Sequence, residues 1–288
     1  LPELPEVETV LQSLLPILQG KTVNSVKINH PQVIGWPESP LTFARELTGL
    51  IFRDGHRRGK FLIFQMSGER RLIFHLRMTG QLFYQEGFVS PAPHTHLILV
   101  LSGGGAVNFK DTRRFGRAYL LRPGEEKEAG NLERLGPEPL DPDFSPNDFK
   151  DVLKKRSGRI KSLLLNQCFL AGLGNIYVDE ILFRSSVHPE TPASRLREEE
   201  MDRLYCNMRT ILREAISGRG TTFRDYRDGT GQAGDFQGLL QVYGREGQNC
   251  PHCAEEIRRK KVAGRSSFFC PRCQKDDSYD PDSIGECK

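Results

Sequence analysis

Near the start of the chain, Val7, Val10, Leu11, Leu14 and Leu15 recur at helical spacing and fall on one face of a helix. Glu6 and Glu8 stand in its first turn, where carboxylates suit the positive end of the helix dipole, and Pro16 is expected to kink or end it. The pattern then changes. "LIFRDGHRRGKFLIFQM", "RLIFHLRM", "THLILVLSGGGAVNFKD" and "FGRAYLLR" are short apolar or alternating runs separated by glycine and charge, which predicts a β-sandwich within residues 1–133. The proline- and acid-rich "RLGPEPLDPDFSP" marks a boundary, so 134–150 reads as a linker. Beyond it, "FKDVLKKRSGRIKSLLLNQCFLAGLGNIYVDEILFRSSVHP" reads as helix, helix, tight turn and helix, followed by a long helix across 196–217. A helical domain is expected over 151–245, and the fold class is α+β with several domains.

Bulk properties narrow the class. A length of 288 residues with 37% apolar composition supports packed cores rather than disorder. No run reaches the roughly 18 apolar residues of a membrane span, and no basic segment followed by an apolar stretch opens the chain, so a cytoplasmic protein is expected. The net charge of +4 hides an asymmetry. Residues 276–288, "DDSYDPDSIGECK", hold five acids and one lysine, leaving 40 basic against 32 acidic residues elsewhere. That excess suits a polyanionic partner such as nucleic acid, although basic proteins without one are common. The tail is too acidic and too short of apolar residues to fold alone.

Cys168, Cys206 and Cys287 are isolated, whereas Cys250, Cys253, Cys270 and Cys273 form two C-x-x-C pairs sixteen residues apart, which predicts a zinc ribbon over 246–275. Two disulfides are the alternative. A reducing compartment, and the proline after Cys250 and after Cys270, favour a metal. Four thiolates leave no open position, so one structural Zn2+ is expected, with His252 a spacer inside the first knuckle. Between the knuckles, "IRRKKVAGRSSFF" crowds five basic residues into a hairpin too small to need them for packing, and phosphates are the expected partner.

Two loops carry further signals. "AGLGN" delivers Asn175 at a helix N-terminus, where free backbone N–H groups can hold an anion and Gly172 and Gly174 permit close approach. A plain helical hairpin would explain those glycines equally well. "GRGTTFRDYRDGTGQAGDFQG", residues 218–238, is long, polar and Gly-rich, fitting either a lid or a flexible linker.

Taken together, "PELPEVETV", "HRRGK" around Lys60, "HLRMTG" at 75–80, "KDTRRFG" at 110–116, "GLGNIYVDEILF" at 172–183 and the C-x2-C-x16-C-x2-C ribbon resemble the formamidopyrimidine-DNA glycosylases. The resemblance covers nearly the whole chain in order. It implies an N-terminal helix with a two-layer β-sandwich, a helix-two-turn-helix domain and a zinc ribbon, with duplex DNA bound between them. The implied activity is that of a bifunctional DNA glycosylase and abasic-site lyase for oxidised purines, chiefly 8-oxoguanine and formamidopyrimidines, acting as a monomer in a bacterial cytoplasm.

The resemblance also assigns residues. Pro2 is the nucleophile: its secondary amine attacks C1′ of the damaged nucleotide, and the resulting iminium stays cationic and draws electrons from the sugar. An α-amino group, with a reference pKa of about 8, is unprotonated near neutrality far more often than a lysine at about 10.4. Glu3 carries general acid/base work at the sugar, Glu6 supports the nucleophile, and Lys60 contacts the neighbouring phosphate. Met78, Arg113 and Phe115 are the implied gap fillers once the base is flipped out, with Arg113 reading the orphaned base. His75, Asn175, Tyr243 and Arg265 are further implied phosphate contacts, and backbone amides around Arg224, Asp225 and Tyr226 are implied to line the lesion pocket within the lid.

Leu1 departs from the family pattern, because an amide to Leu1 removes the lone pair of Pro2. Initiation at a non-standard start codon followed by removal of the initiator would free the proline, and the active chain is expected to begin at Pro2. An endonuclease-VIII-like enzyme for oxidised pyrimidines is the rival within the same chemistry. A non-catalytic binder of damaged DNA is the rival outside it.

Overall fold

The computed structural model describes residues 2–87 and 92–275. Leu1 and the acidic tail 276–288 lie outside the described residues. The chain divides into two compact units, one formed by residues 1–135 with 213–238 and the other by 136–212 with 239–288.

The first unit begins with helix α1 (Leu4–Leu18). Val7, Val10, Leu11, Leu14 and Leu18 form its buried stripe, and the helix runs two residues past the exposed Pro16. Nine strands follow among the described residues. β1 (Val23–Ile28), β6 (Gly80–Gln85), β7 (Thr95–Leu101) and β8 (Ala106–Asp111) make a four-stranded sheet in the order β1-β7-β8-β6. β2 (Ile34–Trp36), β3 (Phe52–Arg58), β4 (Phe61–Met66), β5 (Arg71–His75) and β9 (Arg117–Leu121) make a five-stranded sheet in the order β2-β9-β5-β4-β3. A second helix, α2 (Pro40–Leu47), is capped by the Ser39 hydroxyl, which accepts from the Thr42 amide.

The two sheets and α1 share one core, in which Phe52, Phe64, Phe74 and Phe109 meet edge to face. β4 shows why its sequence lacks alternation. Leu62, Phe64 and Met66 enter that core, while Phe61 and Ile63 join Ile73, Tyr119 and Leu121 in a second cluster on the opposite face. A strand buried on both faces reads as a continuous apolar run.

In the second unit, α3 (Pro146–Lys154) starts at a capping box between Ser145 and Asp148. α4 (Ile160–Leu164) leads through a turn containing Gly172, at φ +87°, to α5 (Asn175–Arg184). α6 (Glu198–Ser217) follows, and the division between the units falls within it. β10 (Arg258–Val262) and β11 (Arg265–Phe269) form an antiparallel hairpin that carries the five basic residues noted above.

One segment departs from the sequence reading. Residues 218–238 were expected with the helical domain, yet they group with the β-sandwich. The reason is a set of hydrogen bonds to α1 and β6, described next.

Candidate active site and nucleic-acid interface

Pro2, Glu3 and Glu6 are all buried at the head of α1, with the two glutamates 1% exposed. Glu3 is the N-cap residue, and its amide donates to Glu6 Oε2 at 2.8 Å. The other oxygen, Oε1, accepts from the Thr221 amide, also at 2.8 Å. One carboxylate therefore ties the start of α1 to the entrance of the 218–238 loop. Gly220, at φ +77°, lies so close that a Cβ there would stand 2.9 Å from Glu6 Oε1.

The loop is knitted internally. Thr221 and Asp235 form an antiparallel bridge at its base. The Asp228 carboxylate accepts from the amides of Thr230 and Gln232, from the Thr230 hydroxyl and from Arg219. Burial alone would raise the pKa of Asp228, but these donors outweigh it and hold the carboxyl below its usual range. Gly229 donates to Ser13 Oγ and accepts from the Tyr84 amide, and Gln81 donates to the Asp225 carbonyl. Tyr226 turns its ring into the sandwich core, and its hydroxyl donates to the Glu6 carbonyl at 3.3 Å. Burial first, and the Glu6 charge second, push that hydroxyl's pKa up, so it remains a donor. Arg224 and Asp225 are exposed on the loop surface.

Lys60 stands in the β3–β4 turn and His75 at the end of β5. Burial, then the charges of Arg77 and Lys60, lower the His75 pKa to about 3. Its Nδ1 accepts from the Arg77 amide at 3.1 Å, leaving the hydrogen of the neutral ring on Nε2 as a donor.

Met78, Arg113 and Phe115 are brought together. Arg113 Nη1 donates to Met78 Sδ at 3.1 Å, and the guanidinium lies 4.9 Å from the Phe115 ring centroid. Met78 and Phe115 are 41% and 48% exposed, an unusual placement for side chains this apolar. Both loops hang from Asp111, which is 1% exposed and accepts from the Thr79 hydroxyl and from the amides of Arg113 and Gly116. Asp111 lies inside "KDTRRFG", where sequence alone assigns it no role. An acid flanked by an apolar strand and a glycine turn was the available signal.

In the second unit, Asn175 is the first residue of α5 and donates to the Ser266 carbonyl at 2.8 Å. Lys161 Nζ donates to the same carbonyl at 2.9 Å and to Asp179 Oδ1 at 2.6 Å, and both charged side chains are fully buried. Asp179 Oδ2 accepts from the Phe268 amide at 3.0 Å. Glu180, the next residue, accepts from the amides of Gln241, Val242 and Tyr243. The Tyr243 ring packs edge-on against Phe268 at 5.1 Å. Asn175, Tyr243 and Arg265 are thus carried on one α5–β11 framework. Lys161, Asp179 and Glu180 were missed in the sequence, where two adjacent acids in the apolar helix "NIYVDEILF" were the signal for buried partners.

The ligand atoms of Cys250, Cys253, Cys270 and Cys273 all lie within 4.8 Å of one another. Three sulfur–sulfur distances are 3.4 Å, 3.5 Å and 3.8 Å. A tetrahedron of Zn–S bonds near 2.3 Å has edges of about 3.8 Å, so the four thiols fit one structural zinc. Burial and the crowding of neighbouring thiols push Cys273 up, a balance that a divalent cation reverses. His252 packs its ring on Phe183 at 4.8 Å and lies outside the cluster.

No helix among the described residues is long and apolar enough to cross a membrane.

Known proteins match this arrangement throughout its length. Residues 1–118 match the formamidopyrimidine-DNA glycosylase N-terminal domain, residues 135–226 the formamidopyrimidine-DNA glycosylase H2TH domain, and residues 247–275 the zinc finger found in FPG and IleRS. The formamidopyrimidine-DNA glycosylase of Desulforamulus reducens is 46% identical over 276 residues, covering 96% of this chain and 99% of its own. That of Moorella thermoacetica is 47% identical over 259 residues, covering 90% and 94%. A Lactococcus lactis FPG mutant in complex with a Fapy-dG containing DNA superposes with a TM-score of 0.89 at 37% identity, covering 96% of this chain and 100% of its own. The wild-type Lactococcus lactis FPG with an oxidized pyrimidine containing DNA gives 0.88 at 36% identity, with the same coverage. By sequence over 96% of its length and by fold, the chain belongs to the formamidopyrimidine-DNA glycosylase family.

Proposed function

We propose that the chain excises oxidised purines from duplex DNA through an imine with Pro2 and then cleaves the strand. It is a base-excision DNA glycosylase with abasic-site lyase activity, and damaged DNA is its partner. The observation that carries the residue-level reading is the burial of Pro2 and Glu3 beside Glu6, whose second oxygen holds the loop assigned to the lesion.

The free Pro2 nitrogen attacks C1′, and the C1′–N bond breaks with its electron pair leaving on the base; the attached amine loses its proton, its lone pair forms the C=N+ bond of the iminium, and the C1′–O4′ bond opens with O4′ taking up a proton. Glu3 manages protons at the opened sugar. Loss of the C2′ proton from the iminium expels the 3′ phosphate, and a second elimination releases the 5′ phosphate. Lys60 and the Nε2–H of neutral His75 bind phosphate on the first unit, and Asn175, Tyr243 and Arg265 bind it on the second. Met78, Arg113 and Phe115 fill the gap left by the flipped base. Amides around Arg224, Asp225 and Tyr226 face the base. In this reading the active species is a monomer, held at the nucleoid by its DNA.

The test is incubation with a duplex carrying 8-oxoguanine opposite cytosine, with borohydride present. Protein proven by intact mass to begin at Pro2 should form a covalent adduct at that residue. A chain proven to retain Leu1 should bind without trapping, because Lys60 serves phosphate rather than attack. Robust trapping with Leu1 in place would assign the nucleophile elsewhere. The same assay on an oxidised pyrimidine decides the endonuclease-VIII-like alternative by relative rate.

A further inference from the structure

The second unit contains a cavity of about 420 Å³ that none of the proposed DNA contacts lines. Arg195, Arg197, Arg203, Arg272 and Lys275 line it, against a single carboxylate, Glu200. Arg197 engages that carboxylate at 3.0 Å, and Arg203 donates to the Ser185 carbonyl at 3.2 Å. Among the described residues no ion pair reaches Arg195, Arg203, Arg272 or Lys275. Like charges gathered with few counter-ions repel one another, and an anionic occupant removes that cost.

We propose that this cavity is a docking site for an acidic peptide segment, and that the segment is residues 276–288 of the same chain. Three observations select this occupant. The lining carries five cations against one carboxylate and the zinc-bound thiolate of Cys273, and the segment carries five acids against one lysine, so the two are complementary in sign. The segment is joined directly to a lining residue: Asp276 and Asp277 follow Lys275, within about 7 Å of chain at full extension. Finally, the site is a concavity with Val187 and Pro192 in its wall, suited to individual side chains rather than to a duplex backbone. A tether this short gives an effective concentration in the millimolar range, so even weak pairing fills the site. Docking would also neutralise acids that otherwise repel the phosphates of the substrate.

The probe is a fluorescein-labelled peptide of residues 276–288, read by anisotropy against three full-length, zinc-loaded proteins. These are the unaltered chain, a chain with its tail acids changed to amides (Asp276→Asn, Asp277→Asn, Asp280→Asn, Asp282→Asn, Glu286→Gln), and the amide-tail chain also carrying Arg195→Glu and Arg272→Glu. The amide-tail chain should bind the peptide at least about tenfold more tightly than either of the others, because the unaltered chain already fills its site and the charge-reversed chain has lost it. Raising salt from about 50 to 200 mM should weaken that binding several-fold. Equal zinc content and equal melting temperature confirm that the charge-reversed chain is folded. Equal affinity across all three proteins, or no binding to the amide-tail chain, would overturn the proposal. So would an undamaged duplex whose affinity, unlike that of the peptide, depends on Arg195 and Arg272, since the surface would then be a nucleic-acid contact.

Discussion

Glu6 and Thr221 are 215 residues apart in sequence and joined at 2.8 Å, carboxylate oxygen to backbone amide. The other oxygen of the same carboxylate holds the Glu3 amide. The residue that follows the proposed nucleophile and the loop proposed to cover the lesion therefore share one acceptor.

Replacing Glu6 by Gln presents an N–H to one of two buried amides and leaves a donor unsatisfied, a loss of about 1–3 kcal/mol. Glu6→Gln should lower the melting temperature and slow 8-oxoguanine excision in single-turnover assays. Unchanged stability and excision would show that the bridge is idle.

In the proposed gap-filling role, the exposed Met78, Arg113 and Phe115 act when a paired base must be extruded. Arg113→Ala and Phe115→Ala should slow base excision at least about tenfold more than cleavage of a pre-formed abasic site. Parallel losses on both substrates, measured by strand scission, would point to a general binding defect instead.

The His75 ring is neutral throughout the working range, since its folded pKa of about 3 lies far below 6.5. The unfolded chain binds the extra proton first, so stability from this residue is fully present above pH 6.5 and is lost as pH falls from there toward 3. His75→Gln should flatten that part of the melting-temperature profile. It should leave the shape of the pH–rate curve above pH 5 unchanged, which kinetic measurement from pH 5 to 9 can check.

Breaking the buried Lys161–Asp179 pair strands a charge. Lys161→Met should cost about 3–5 kcal/mol, whereas the double change Lys161→Met with Asp179→Leu should recover part of it. A denaturant-based double-mutant cycle reads the difference, and additivity would deny the coupling.

Chelation of the metal, or Cys250→Ser, should abolish DNA binding while the β-sandwich keeps its melting transition, because the metal organises only the small ribbon. Metal analysis should return about one zinc per chain. Undiminished DNA affinity in metal-free protein would refute the assignment.

Much of this was legible in the chain because it is local. The stripe on α1, the cysteine pairs and Asn175 at the head of α5 each depend on neighbours within a few turns. Leu18 took the place expected of Leu15 in the core because the helix continues past Pro16, whose position close to the end costs few hydrogen bonds. What stayed hidden is long-range. Asp111, Lys161 and Glu180 look like ordinary surface charges until partners 32 to 105 residues away arrive. Tyr226 sits in a polar, glycine-rich stretch that gives no sign of a ring reaching the sandwich core. Met78 and Phe115 mislead in the opposite sense, since their apolar character argues for an interior they do not occupy.

Asp111 separates anchoring from reading. It fixes the bases of both loops through backbone amides and one hydroxyl, so the side chains of Met78, Arg113 and Phe115 touch one another at the tips without carrying the anchorage at the base. Tips of that kind are interchangeable parts. A library randomised at positions 78, 113 and 115 over an intact Asp111 should be rich in folded proteins, and, in the proposed gap-filling role, selection within it should retune which opposite base is accepted without rebuilding the scaffold.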